Sequence, residues 1–233
     1  MLRIVIYGER CSGTNYLENL INLNFINKIS DQYGSKHFFG FYKNVLKNNS
    51  NKVLFICIVR DLVPWINSFF REKHHLPLKY KINLSENEKI DHFLNKEIFS
   101  INDYDHDYKK WDKENMDDRN IYTGKRYKNI FELRHTKIKW MLEDLPKKVK
   151  NYIFIRYEDL INDFENTMNK LKDKGLIVKH NIDFPLNTDN YKNNINNKNI
   201  KFIDIKNINK ISDKMILNNK NLIIKYEKEL GYL

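Results

Sequence analysis

The sequence predicts an α/β protein, a single doubly wound domain with a mainly parallel central sheet, on three observations. Short apolar strands at residues 2–7, 53–59 and 152–156 each run directly into a helical pattern. The middle one, Val53-Leu54-Phe55-Ile56-Cys57-Ile58-Val59, is apolar on both faces, as a strand covered by helices on either side must be. Glycine, arginine and acidic residues sit where strand gives way to helix, the end at which open α/β sheets bind their ligands.

The first unit is the most informative. Ile4-Val5-Ile6-Tyr7 leads through Gly8-Glu9-Arg10-Cys11-Ser12-Gly13 into a helix over about 14–25, with Leu17, Leu20, Ile21 and Phe25 on one face. A glycine-bearing turn at a helix N-terminus offers unpaired N–H groups and a positive dipole end to an anion. The Gly8-to-Gly13 spacing matches G-x-x-x-x-G-K-[ST], yet Thr14 and Asn15 stand where the phosphate lysine and the magnesium-binding hydroxyl belong. What remains is a P-loop-like first turn with Arg10 before it and the hydroxyls of Ser12 and Thr14 within it, suited to an anion held without an obligatory metal. The alternative is an ordinary strand-to-helix turn whose glycines serve geometry alone.

Further along, Tyr33 to Gly40 holds a short aromatic piece bracketed by glycines, and a second strand is expected at 36–39 with Lys36 and His37 at its end. The central strand ends in Arg60-Asp61, and Pro64 near the next helix start is followed by Trp65, Ile66 and Phe69 at helical spacing. Ser68 lies two turns along that helix. Residues 71–128 show no clean period and read as a substrate-side insertion of short helices and loops. Within it, the Asp103-to-Asp107 cluster with His106 matches no metal-ligand spacing and reads as solvated charge. Ile130, Leu133, Ile138, Met141 and Leu145 mark a helix ending before Pro146. A third buried strand, Tyr152–Arg156, enters a helix with Leu160, Phe164, Met168 and Leu171 inward, and Glu158 and Asp159 in its first turn. Residues 181–201 are Asn- and Lys-rich loop, and a last helix is expected over about 212–230.

Composition sets the limits. A chain of 233 residues forms one core, so residues 1–233 are expected to be one domain. The net charge of +11 favours anionic ligands, but Lys and Asn are spread along the whole chain and mark no nucleic-acid surface. Cys11 and Cys57 form no C-x-x-C pair, which argues against a disulfide framework or zinc site. Neither a secretory leader nor an apolar run of membrane-spanning length is present, so a soluble cytoplasmic protein is expected.

Four motifs, in this order, resemble sulfotransferases that use 3′-phosphoadenosine 5′-phosphosulfate: Cys11-Ser12-Gly13-Thr14-Asn15-Tyr16, Val59-Arg60-Asp61 with Ser68 eight residues after Arg60, Arg156-Tyr157-Glu158-Asp159-Leu160, and Leu230-Gly231-Tyr232. The resemblance implies that Arg10, Cys11, Ser12, Gly13, Thr14 and Asn15 form the phosphosulfate loop, that Arg60 and Ser68 clamp the 3′-phosphate, and that Tyr16 stacks or packs near the adenine. It implies a metal-free sulfonyl transfer from that donor to a hydroxyl or amine of a small-molecule, glycan or peptide acceptor. Arg10 is then the cation on the leaving group, Lys36 a second cation and His37 the general base, its unperturbed pKa of about 6.5 being suited to proton abstraction. The family's usual Lys or Arg directly before Ser-Gly is replaced by Cys11, with Arg10 one place earlier. A divergent P-loop kinase using ATP and Mg²⁺, and a non-enzymatic nucleotide- or RNA-binding module, are the competing readings.

Overall fold

The computed structural model describes residues 1–40, 50–73, 75–81, 83–101, 114–179 and 219–233. Three parallel strands, β1 (Arg3–Gly8), β2 (Val53–Val59) and β3 (Asn151–Arg156), form one sheet in the order β1-β2-β3. The register pairs Arg3 with Val53 through Gly8 with Ile58, and Leu54 with Asn151 through Val59 with Arg156. β2 is central and buried throughout, as its two-sided apolar run requires.

Alternation along β2 divides the core. Leu54, Ile56 and Ile58 face a layer made by α1 (Thr14–Asn24), α5 (Tyr157–Asn162) and α6 (Phe164–Asp173), through Leu17, Ile21, Leu160, Met168 and Leu171. Val53, Phe55, Cys57 and Val59 face Trp140, Met141 and Leu145 of a π-turn that continues α4 (Ile130–Lys139), with Tyr226 of α7 (Lys220–Glu229). Both faces of the sheet are therefore covered, and the α/β class is the expected one. A third cluster, off the sheet, joins α2 (Leu62–Glu72) to α3 (Glu86–Asn95) and the start of α4 through Trp65, Phe69, Phe70, Phe93, Ile98 and Tyr127. Among the described residues no helix is long and apolar enough to cross a membrane.

Two expectations change. Residues 36–39 form bends, not a strand: Gly34 and Gly40, both at positive φ, break the extended run. Single contacts cover the free edge of β1 instead, with Ser30 N donating to Ile4 O at 2.8 Å and Gly8 N to Lys36 O at 3.0 Å. β3 is an edge strand, so it is only half-buried where the sequence suggested a fully buried one. Within residues 71–128 the described part is short helices and isolated bridges. His74, the 103–107 cluster, residues 181–201 and residues 212–218, over which the last helix is expected to begin, lie outside the described residues.

Candidate anion-binding site

The turn between β1 and α1 is fixed from below. Trp65 Nε1 donates to Arg10 O at 2.8 Å, and Ser12 turns back on Glu9 O through both its N–H, at 3.1 Å, and its hydroxyl, at 2.7 Å. Cys11 and Gly13 take the left-handed conformation, at φ 64° and 97°. Gly13 caps α1 with no side-chain hydrogen bond and no acid in the first turn, whereas Asp61, Ser85 and Asn129 cap α2, α3 and α4 with their side chains. A Cβ on Gly13 would lie 2.2 Å from the Tyr157 ring, and one on Gly8 2.7 Å from Ser12 Oγ, so both glycines are required by close approach.

The residues expected to clamp a second phosphate lie beside this turn. Ser68 shares a hydrogen bond with the Cys11 thiol, whose pKa burial pushes up to about 11 against the pull of Arg10 and Arg60. The guanidinium of Arg60 lies 4.8 Å from the Tyr157 ring centroid, and its buried Nε has no hydrogen-bond partner among the described residues. Asp61 does not pair with it. That carboxylate caps α2 by accepting from Val63 N at 3.3 Å.

Lys36 and His37 reach the same place from the far side of β1. The Lys36 ammonium donates to Asn15 Oδ1 at 2.5 Å and Glu18 Oε2 at 2.8 Å, over the first turns of α1. His37 Nδ1 lies 2.9 Å from Gly8 O. A carbonyl only accepts, so Nδ1 carries the proton and Nε2 is left as the basic atom. Burial, with Arg10, Lys36 and Lys137 nearby, lowers the His37 pKa to about 3 despite the Gly8 hydrogen bond, which leaves the ring neutral. His37 O accepts from Lys137 Nζ at 2.8 Å, fixing the segment.

Arg10 is placed differently from expectation. Its guanidinium is buried, 2.9 Å from Asp118 Oδ2, bonded to Ser100 Oγ and 4.7 Å from the Phe69 ring centroid. The turn at Cys11 sends this side chain inward, so it braces the loop and does not face a ligand above it. Ser12 likewise spends its hydroxyl on Glu9 O. Tyr16 is buried, edge-on to Tyr157 with centroids 6.0 Å apart. Thr14 is buried at the head of α1.

Sequence reasoning missed the buried ionic floor. Arg134 donates to Glu227 Oε1 at 2.7 Å, Glu9 Oε2 at 3.0 Å and Arg60 O at 2.8 Å, while Lys137 pairs with Asp118. Arg134 and Lys137 stand one turn apart on the buried side of α4, and two cations among Ile130, Leu133 and Ile138 were the one local hint of it. The remaining motifs also converge: Glu158 accepts from Asp61 N at 3.1 Å and from the Tyr232 hydroxyl at 2.6 Å, and Arg156 holds Asp159 and reaches Leu230 O. Among the described residues no group of three or more His, Cys, Asp or Glu could hold a metal ion.

No model of a protein family matches the chain, and no curated protein matches it. A solved structure of a mouse sulfotransferase, SULT7A1 complexed with PAP, is similar at TM-score 0.37 and 14% sequence identity, over 74% of this chain. This chain spans 58% of that one. So slight a likeness transfers no role to any residue here.

Proposed function

We propose that this protein is a sulfotransferase that takes a sulfonyl group from 3′-phosphoadenosine 5′-phosphosulfate and passes it to a hydroxyl or amine of a small-molecule, glycan or peptide acceptor. The observation that carries the reading is Arg60: a guanidinium with no carboxylate partner among the described residues, held on the Tyr157 ring that abuts Gly13 at the uncapped start of α1, while Ser68 bonds the Cys11 thiol of the same turn. A donor with anions at both ends of an adenosine needs two neighbouring anion sites, and these elements are the candidates for them. The motif order that resembles the sulfotransferases supports the same assignment.

The roles follow from position. The N–H groups at the head of α1, with Asn15 and Lys36, would hold the phosphosulfate end, and Arg60 with Ser68 the 3′-phosphate. Gly13 admits the Tyr157 ring that sets Arg60. Arg10 braces the loop from beneath. The donor supplies an activated sulfonyl group when bound. His37 Nε2 would take the acceptor's proton, and ligand negative charge beside Lys36 would raise its basicity above that in the ligand-free protein. Cations and N–H groups meet the charge on the leaving group, so the reading calls for no metal.

Thermal melting tests it. Adenosine 3′,5′-bisphosphate at a hundredfold excess over its Kd is expected to raise Tm by roughly 5–10 °C, and ATP with Mg²⁺ to do less. No shift with millimolar bisphosphate sinks the reading. A larger shift with ATP and Mg²⁺ favours the kinase.

A further inference from the structure

A cavity of about 370 Å³ lies within the off-sheet cluster, between the segment Leu76–Leu78, α3 and the segment Glu97–Phe99. Its size falls in the lower part of the range of roughly 300–1,000 Å³ usual for small-molecule sites. The walls are apolar, from Leu76, Pro77, Leu78, Phe93, Ile98 and Phe99, and the polar lining residues are Lys81, His92, Lys96 and Glu97. None of the loop or clamp residues of the anion site lines it.

The charge on that lining is uneven. The Lys81 ammonium lies 2.7 Å from His92 Nε2, and since an ammonium only donates, this contact keeps His92 neutral and accepting. Burial and the cations of Lys81 and Lys96 also lower the His92 pKa. Glu97 is occupied by Arg126 at 3.0 Å, and Arg126 in turn lies 3.8 Å from the Phe99 ring centroid and pairs with Glu114. With Glu97 answered from outside, two ammonium groups at an apolar cavity have no carboxylate of their own among its lining residues. That combination suits a molecule whose body is hydrocarbon and whose head is an anion.

We propose that this cavity is a binding site for a small amphiphilic anion, an apolar chain or ring bearing one negatively charged head group, with Lys81 and Lys96 receiving the head and Leu76, Leu78, Phe93 and Ile98 the body. The site is separate from the nucleotide reading and stands or falls without it. It has a route to the loop, because Ser100, adjacent to the lining residue Phe99, is hydrogen-bonded to Arg10.

Calorimetric titration of the whole chain with octanoate and with 1-octanol tests the proposal, since the two share a chain and differ in the head. Octanoate is expected to bind at least tenfold more tightly. In K81Q/K96Q, two exposed positions outside the fold's core, the octanoate advantage is expected to vanish while 1-octanol binding stays within twofold. Equal binding of the two probes, an unchanged octanoate affinity in the double variant, or no heat from either probe overturns the assignment. Melting with adenosine 3′,5′-bisphosphate in K81Q/K96Q should match the parent protein, so loss of the amphiphile site and failure of the nucleotide reading are told apart.

Discussion

The Tyr157 ring occupies the space where a Gly13 side chain would begin: an added Cβ would stand 2.2 Å from Tyr157 Cδ2. The same ring carries the guanidinium of Arg60 at 4.8 Å. One tyrosine on β3's exit therefore ties the shape of the first loop to the position of the cation on β2's exit.

Gly13→Ala is accordingly expected to destabilise the fold by about 2–4 kcal/mol, from the clash together with the left-handed backbone at φ 97°. Adding Tyr157→Ala removes the clash but not the backbone strain, so G13A/Y157A should recover part of what G13A loses. Urea denaturation of the three variants measures it, and a G13A protein as stable as the parent contradicts the geometry.

Arg60→Ala tests the 3′ end of the proposed donor. Losing a charged hydrogen bond costs about 1.5–3 kcal/mol, so R60A should weaken adenosine 3′,5′-bisphosphate binding by roughly 10–100-fold. Adenosine 5′-monophosphate, which lacks the 3′-phosphate, should bind R60A and the parent within a few-fold. Titration calorimetry with both nucleotides decides, and an equal loss for each would remove Arg60 from the 3′ end.

The pH dependence of stability carries two opposed signatures. His37 is lowered by burial from 6.5 to about 3, so the unfolded chain takes up a proton that the folded one refuses, and its contribution is lost as pH falls from about 6.5 toward 3. Glu9 is raised by burial from 4.5 to about 7 against the attraction of Arg134, so its contribution is present below about 4.5 and lost as pH rises through 7. Between pH 4.5 and 6.5 the two slopes offset. H37Q should therefore gain stability relative to the parent as pH falls across that window, and E9Q should lose it, each by at most about 1.4 kcal/mol per pH unit. Denaturant midpoints at pH 6.5 and 4.5 show the two tilts, and a common direction refutes one assignment.

Arg134→Met leaves Glu9 and Glu227 buried without their cation. A loss of about 3–5 kcal/mol is expected, and R134M/E9Q/E227Q should regain most of it, because neutral amides tolerate the interior better than unpaired carboxylates. Equilibrium unfolding of both proteins provides the comparison.

The strands and the helices at their ends were legible because hydrophobic period and glycine placement are local signals. Val53–Val59 could be nothing but central, and Leu17, Leu20 and Ile21 fixed the buried face of α1. The direction of a single side chain is not such a signal. The sequence predicts an Arg10 that faces the ligand, yet the left-handed turn at Cys11 and the buried Asp118, more than a hundred positions away, draw it inward. The partners in the ionic floor are hidden for the same reason: Glu9, Arg134 and Glu227 meet across separations of 125 and 93 residues, which no window on the sequence spans. At 36–39, aromatic content suggested a strand, and the flanking glycines prevented one.

Those long separations also bear on how the protein is made. A nascent chain that has delivered Glu9 and Arg134 still holds a charged trio without its third member until residue 227 has cleared the ribosome. Assembly of the loop is then a late event in biosynthesis, slow in the way distant pairings are, and until then the half-finished domain leaves charge and apolar surface uncovered.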